Sequence, residues 1–168
     1  MIKNAIAEKI LEAREERVSK IAEMLEEYKM PVLVMRVNYP GLNKNNELTI
    51  NIMKDMSKVI EKILGSKLYI KFNTSGAEGN ILYISVQEEV KKLKKIAIDI
   101  EETHVLGRCL DIDVYDIDGR SIGRQELGYE VRKCYLCQDY AHNCVRSRVH
   151  SEEQVIAYIK EKYRKFKI

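Results

Sequence analysis

The chain has 168 residues, 45% hydrophobic and 33% charged, enough apolar material for one core, and no run nears the roughly 18–20 apolar residues that cross a bilayer. Two prolines, eight glycines and no low-complexity tract exclude a disordered linker, and the charged opening MIKNAIAEKILEAREERVSK lacks the apolar stretch of a secretory signal, so a soluble cytoplasmic protein is expected. A net charge of +3 is too small to imply nucleic-acid binding by itself.

Residues 2–28 read as a helix, with Ile2, Ile6, Ile10, Val18, Ile21, Met24 and Leu25 near helical spacing, and Pro31 ends it. Val32–Tyr39 is short, apolar and β-rich, hence a strand, and Pro40-Gly41 turns the chain. Asn46–Leu64 carries Leu48, Ile52, Met56, Val59, Ile60 and Ile63, a second amphipathic helix that Gly65 stops. Lys67–Asn73 alternates Leu68, Ile70 and Phe72 with Lys67, Tyr69 and Lys71, so it reads as a half-buried strand. The turn Ser75–Asn80 leads to another strand, Ile81–Val86. A third helix fits Glu88–Glu102. Leu110–Ile117 alternates again, and Asp118-Gly119 predicts a hairpin into a strand over Ser121–Leu127. A last helix starts near Ser151, an N-cap followed by Gln154, and runs to Lys165.

The order over 32–117 is β-α-β-β-α-β. It predicts an α+β protein with a ferredoxin-like sandwich core, both helices lying on one face of an antiparallel sheet. Residues 1–168 form a single domain in this reading. An N-terminal helix precedes a core of about 31–127, and a Cys-rich appendage of about 128–168 follows the hairpin.

Charge type changes along the chain. Residues 1–119 carry 18 Lys and Arg against 20 Asp and Glu, whereas residues 120–168 carry 11 against 6. Six of the ten arginines (Arg108, Arg120, Arg124, Arg132, Arg146, Arg148) fall between 108 and 148, where Lys133 is the one lysine. Arg offers a planar fork of donors that matches phosphate or carboxylate, which Lys cannot imitate. An anion site is therefore favoured over a basic surface that is Arg-rich by chance.

In Gly107-Arg108-Cys109-Leu110-Asp111-Ile112-Asp113-Val114, strand alternation puts Asp111 and Asp113 on one face. Two carboxylates so close repel unless a cation lies between them, and Mg²⁺ takes one or two protein carboxylates and completes its shell with water and phosphate. A solvated strand face explains the pair without function. Gly107 and Arg108 tilt the balance, one permitting close backbone approach and the other facing phosphate. Cys134-x2-Cys137-x6-Cys144-x5-His150 has the ligand set of a structural Cys₃His zinc site, with His142 a competing fourth ligand. Packed reduced thiols are the plain alternative, and a reducing compartment disfavours a disulfide. Cys109 reads as a small packed residue. His104 is a lone candidate general base. Arg14 and Arg17 share one helix face, where pairing with neighbouring Glu explains them. The loop Asn73–Gly79 has two glycines but no Lys, so it is not a P-loop.

The run His104–Val114 resembles the H-x-L-G-R-L-x-D-I-D-V segment of the apo-citrate lyase phosphoribosyl-dephospho-CoA transferases, the holo-acyl-carrier-protein synthases of citrate lyase. Arg132-Lys133-Cys134-Tyr135-Leu136-Cys137 is similar to that family's R-R-C-L-L-C, and Cys144–His150 to its C-A-R-x-x-x-H. Upstream, Arg14-Glu15-Glu16-Arg17, Pro31–Val34 and Gly76-Ala77-Glu78-Gly79 fall in the expected order. The resemblance implies a nucleotidyltransferase-type enzyme that moves phosphoribosyl-dephospho-CoA from its triphosphate donor to a serine of the citrate lyase acyl carrier (gamma) subunit, releasing diphosphate. Asp111 and Asp113 would hold Mg²⁺, and Arg108 with Arg120, Arg124, Arg132, Arg146 and Arg148 would take phosphate charge. Gly107, Arg14 and Arg17 complete the donor-binding set, and Asp111, Asp113 or His104 would deprotonate the serine. Two other readings stay open: a nucleotidyltransferase with another acceptor, and a non-catalytic zinc module binding nucleic acid. The latter is disfavoured by the acidic first two-thirds of the chain and the lack of a stacking-aromatic pattern.

Overall fold

The computed structural model describes residues 2–168, with side chains from Ala5 onward. In chain order the elements are α1 (Ile2–Tyr28), β1 (Val32–Val37), α2 (Glu47–Leu64), β2 (Leu68–Gly76), β3 (Gly79–Val86), α3 (Val90–Thr103), β4 (Leu110–Tyr115), α4 (Ala141–Ser147) and α5 (Glu152–Lys167). The strands form one sheet in the order β2-β3-β1-β4, every neighbouring pair antiparallel. The chain is α+β.

Sequence pattern sorts the faces. The central strands β1 and β3 are buried on both sides and are almost continuously apolar, whereas the edge strand β4 alternates buried with half-buried residues. On one face Leu33, Met35, Leu82, Ile84, Leu110 and Ile112 pack against α2, α3 and Ile159 of α5. On the other, Val32, Val34, Ile81 and Tyr83 meet Ile21, Met24 and Leu25 of α1. Helix ends follow local chemistry. Asn46 caps α2 by accepting the Thr49 N–H while the Thr49 hydroxyl accepts the Asn46 N–H, and Ser151 and Gln154 repeat that reciprocity at α5. Lys29, at φ +52°, and Pro31 end α1.

Two expectations need correction. The predicted apolar face of α1 is only partly buried: Ile10, Ile21, Met24 and Leu25 are inside, but Ile6 and Val18 are 37% and 63% exposed. The middle of α1 stands over charged ground, where Arg14 and Arg17 meet Glu78, and its last turns pack into the cluster beneath the sheet. The side chain of Ile2 lies outside the described residues. The predicted strand Ser121–Leu127 does not form. A single bridge joins Tyr115 to Ser121, Ile122 N–H donates to the Val114 carbonyl at 2.9 Å, and Arg124–Leu127 is a 3-10 turn.

The outer edge of β4 is already taken. Glu101 accepts the Ile112 N–H at 3.1 Å, Lys94 donates to the Ile112 carbonyl at 3.4 Å, and Arg132 donates to the Leu110 carbonyl at 3.2 Å. Side chains satisfy the backbone groups that a fifth strand would have used.

Gly107 precedes β4 and is buried against the end of α3, where a Cβ would collide with the carbonyl oxygens of Ile100 and Glu101. Gly107→Ala should therefore cost about 1–3 kcal/mol through overpacking. A lowered unfolding midpoint in urea, with unchanged slope, checks this; an unchanged midpoint contradicts the packing.

Candidate functional site

Antiparallel register sets Arg36 of β1 directly opposite Asp111 of β4, and Val34 opposite Asp113. The Arg36 Nε and Nη2 both donate to Asp111 Oδ2, at 3.0 and 2.6 Å, and its Nη1 donates to Glu78 Oε1 at 3.2 Å. Glu78 sits in the tight turn joining β2 to β3, yet it is buried. From α1, Arg14 Nε and Arg17 Nε approach its carboxylate at 3.5 and 3.3 Å. Gly79, at φ +88°, follows; a Cβ there would lie 2.6 Å from the Lys44 carbonyl oxygen, so glycine lets the loop before α2 come close. Lys44 Nζ donates to the Tyr39 carbonyl at 2.6 Å.

These groups wall a cavity of about 280 Å³ lined by Arg14, Arg17, Arg36, Val37, Asn38, Tyr39, Lys44, Glu78 and Asp111. Four cations face two carboxylates, so the cavity attracts anions. A wider cleft of about 660 Å³, between α1 and the β2–β3 hairpin, shares Arg17 and Glu78 with it. Burial and the charges of Arg36 and Arg14 lower the pKa of Lys44, which binding of an anion would reverse. Burial, then the charge of Asp111, raises that of Asp113. Asp111 and Asp113 are half-buried hard-oxygen donors on one strand face, and a cation beside them would relieve both effects.

The other predicted residues lie elsewhere. Arg124 and Arg132 reach the buried carboxylate of Glu101, each at 3.4 Å, and Arg108 donates to the Lys133 carbonyl beside them. Arg120 is exposed and ties Asp116 to Glu126. Arg146 and Arg148 are exposed at the end of α4 and line neither cavity. Cys109 is buried in the core, where desolvation pushes its thiol up to about 11, the behaviour of a packed residue rather than a nucleophile. The structure thus separates the arginines that the sequence grouped. It brings Arg14, Arg17 and Asp111 together instead.

A second cluster forms in the Cys-rich segment. Cys134, Cys137, Cys144 and His150 present ligand atoms that all lie within 4.8 Å of one another. Cys137 Sγ is 3.3 Å from Cys144 Sγ and 3.4 Å from His150 Nε2, and all three thiols are free. A tetrahedral centre with Zn–S bonds of about 2.3 Å sets its sulfurs about 3.8 Å apart, so this group fits a metal such as zinc. Burial opposes ionisation of Cys134, but N–H donors from Leu136 and Cys137 outweigh it and lower its pKa; the neighbouring Cys137 raises that of Cys144. His142 stacks on Tyr140 and is not in the cluster.

Arg36, Lys44, Glu78 and Glu101 escaped the sequence reading. Arg36 had a signal, as the one charge in the strand VLVMRV. Glu78 had another, a carboxylate between two glycines where a hairpin turn favours Asn or Gly.

Residues 6–166 match the family model described as apo-citrate lyase phosphoribosyl-dephospho-CoA transferase. The chain is 32% identical over 163 residues to a probable apo-citrate lyase phosphoribosyl-dephospho-CoA transferase from Vibrio cholerae, covering 92% of this chain and 89% of that protein. It is 28% identical over 145 residues to the apo-citrate lyase phosphoribosyl-dephospho-CoA transferase of Citrobacter koseri, with 84% and 79% covered. The Shigella flexneri protein of that name is 27% identical over 147 residues, again with 84% and 79% covered.

His104 caps α3, accepts the Leu106 N–H at Nδ1 (3.1 Å) and packs its ring on Phe166 of α5, in the layer opposite Asp111. Burial lowers its pKa from the ordinary 6.5. Its contribution to stability is thus present above the unfolded value and lost as pH falls through the folded one. His104→Gln should flatten the loss of melting temperature between about pH 7 and pH 5 while changing little at about pH 8. A variant that kept the wild-type acid slope would contradict this.

Proposed function

We propose that this chain, which belongs to the apo-citrate lyase phosphoribosyl-dephospho-CoA transferase family, moves a phosphoribosyl-dephospho-CoA group from its triphosphate donor to a serine of the citrate lyase acyl carrier (gamma) subunit and releases diphosphate. It is an enzyme of the transferase class. The observation that carries the reading is the cavity beside Asp111, where Arg14, Arg17, Arg36 and Lys44 converge. Planar guanidinium forks and an ammonium suit a polyphosphate, and fixed charges in a partly dry site stabilise charge that develops during transfer.

In this reading the cavity cations bind the donor's phosphate chain. Arg120, Arg124 and Arg132 line neither cavity, so the phosphate role passes from them to Arg14, Arg17 and Arg36, which wall the smaller one. Asp111 and Asp113 would hold Mg²⁺, which when bound neutralises phosphate charge and polarises the reacting phosphorus. The serine oxygen forms a bond to the phosphorus nearest the ribose as that phosphorus loses its bond to the bridging oxygen of the leaving diphosphate. The serine proton goes to a base, and Arg36 with its neighbours balances the charge that collects on the diphosphate. The wider cleft alongside offers room for the rest of the donor. Cys134, Cys137, Cys144 and His150 would hold a structural zinc, since four protein ligands close the shell and leave no position for chemistry. The βαββαβ order and the sheet order β2-β3-β1-β4 support a ferredoxin-like core within one domain. No helix among the described residues is long and apolar enough to cross a membrane, and the free thiols suit the reducing cytoplasm of this reading.

Mixing the protein with the triphosphate donor, Mg²⁺ and unmodified carrier subunit, then weighing the carrier, tests the reaction. A gain equal to the phosphoribosyl-dephospho-CoA group is expected; no gain from folded protein overturns it. Asp113→Asn should lower turnover at least about a hundredfold with the fold intact, because a metal ligand carries several kcal/mol of transition-state stabilisation, and Asp111→Asn should lower turnover as much while also lowering stability, because it unpairs Arg36. Near-normal turnover of both at saturating Mg²⁺ would defeat the metal assignment. Protein purified without chelator should hold about one zinc per chain, and Cys137→Ser should lose both zinc and thermal stability. Zinc content near zero, with every thiol titrating freely in the native state, would defeat the structural metal.

A further inference from the structure

Arg146 and Arg148 differ from the arginines around them. Arg14, Arg17, Arg36, Arg120, Arg124 and Arg132 all approach carboxylates within 4 Å and Arg108 donates to the Lys133 carbonyl, whereas these two, like Arg164 of α5, approach no carboxylate among the described residues. They flank exposed apolar side chains. Val145 is 77% exposed and Val149 57%, with Tyr140 and Leu136 also open to solvent. Helix α4 buries only Cys144, its contribution to the Cys₃His cluster. The cluster thus anchors a short segment whose outer surface is apolar and doubly basic. Such a surface offers an acidic partner unpaired guanidinium forks and apolar area to bury at one place.

The location of the patch is as telling as its chemistry. Beyond Arg148 come His150, a cluster residue, and Ser151, which caps α5. The first residue of α5, Glu152, lies against the loop before α2; a Cβ on Gly41 would be 2.5 Å from Glu152 Oε2. Lys44, on the same loop, feels the charge of Glu152 and lines the anion cavity with Asn38 and Tyr39. The corner between α4 and α5 therefore abuts the cavity wall. A cavity of about 280 Å³ can admit the reacting end of a protein acceptor but not its body. The body must rest on the surface beside the rim.

We propose that the patch formed by Val145, Arg146, Arg148 and Val149 docks the protein acceptor, meeting an acidic surface that carries exposed apolar residues. The inference rests on the transfer reaction proposed above. Charge favours this side of the molecule, since residues 120–168 carry 11 Lys and Arg against 6 Asp and Glu, while residues 1–119 carry 18 against 20. An acidic partner is attracted to the basic segment that carries the patch. Arginine and tyrosine are residue types enriched where binding energy concentrates at protein interfaces, and exposed Tyr140 precedes the two arginines in sequence.

The test compares the full-length protein with an Arg146→Glu/Arg148→Glu double variant and with Val145→Ser, all checked for wild-type melting and zinc content. The double variant should raise KM for the apo carrier subunit at least about tenfold, leave kcat within about twofold and leave donor binding by calorimetry unchanged. Added salt should raise the wild-type KM and affect the double variant much less. Arg146→Gln should shift KM in the same direction by a smaller factor. An unchanged acceptor KM in the double variant overturns the proposal. So does retention of RNA that depends on these arginines while acceptor KM does not. Should wild-type protein fail to transfer at all, the reaction is wrong; direct binding of the carrier to wild type and double variant, measured by sedimentation without turnover, still judges the docking surface. Equal affinity there overturns it.

Discussion

One guanidinium holds three distant segments in register. Arg36 lies on the central strand β1, bonds Asp111 on β4 twice and reaches Glu78 at the β2–β3 turn. Its position is costly to create. A charge taken from water must be fully paired, and removal of one partner strands the others. Burial alone would lower the pKa of Arg36, and the charges of Asp111, Asp113 and Glu78 raise it above the ordinary value instead. Arg14 and Arg17 then approach Glu78 from α1 as ion pairs, with Glu78 Oε2 and Arg17 Nε left without a hydrogen bond. The consequence for α1 is a division of labour along its length. Its last turns are held by apolar contact with Val32, Val34 and Tyr83, and its middle by ion pairs over a cavity. A helix attached in this way leaves polar space against a sheet face that apolar packing would otherwise have filled.

The opposite edge of β4 obeys the same rule with different residues. Glu101 is buried and accepts the Ile112 N–H while Arg124 and Arg132 approach its two oxygens. Arg132 also reaches the Leu110 carbonyl, and it lies two residues before Cys134. The Cys-rich segment is thereby tied to the strand that carries Asp111 and Asp113. Each Asp is flanked by backbone groups that this network fixes. Whatever steadies the Cys₃His cluster also steadies the strand on which the acidic pair stands.

Much of the fold was legible. Hydrophobic period located every long helix and all four strands of the sheet, and Asn46, Gly65 and Ser151 marked helix ends because capping is local chemistry. The strand expected at Ser121–Leu127 failed for a non-local reason: a hairpin signal says nothing about side chains from α3 that occupy the partner edge. Val18 misled for the same reason, since a helical period cannot tell whether a face meets core or cavity. The site was half legible. The Asp pair and the Cys₃His set announce themselves by spacing within one segment. Arg36, Lys44 and Glu78 are 30 to 80 residues from Asp111 in sequence, and only strand register and a tight turn bring them to it. The arginine-rich stretch, conversely, looked like one anion site and is three separate arrangements: Arg120, Arg124 and Arg132 answer to carboxylates nearby, Arg108 to a carbonyl, and Arg146 and Arg148 face solvent.

The central claim is that the cations beside Asp111 receive a polyphosphate. Calorimetric titration of inorganic triphosphate with Mg²⁺ into the wild-type protein and Lys44→Gln tests it, since Lys44 lines the cavity without bonding any carboxylate of the site. Binding to the wild type is expected, with an affinity at least about tenfold weaker in the variant, the loss of one charge-assisted contact. Equal affinity in the two proteins, with weakening instead in Arg108→Gln, would place the phosphates on the other side of β4 and contradict it.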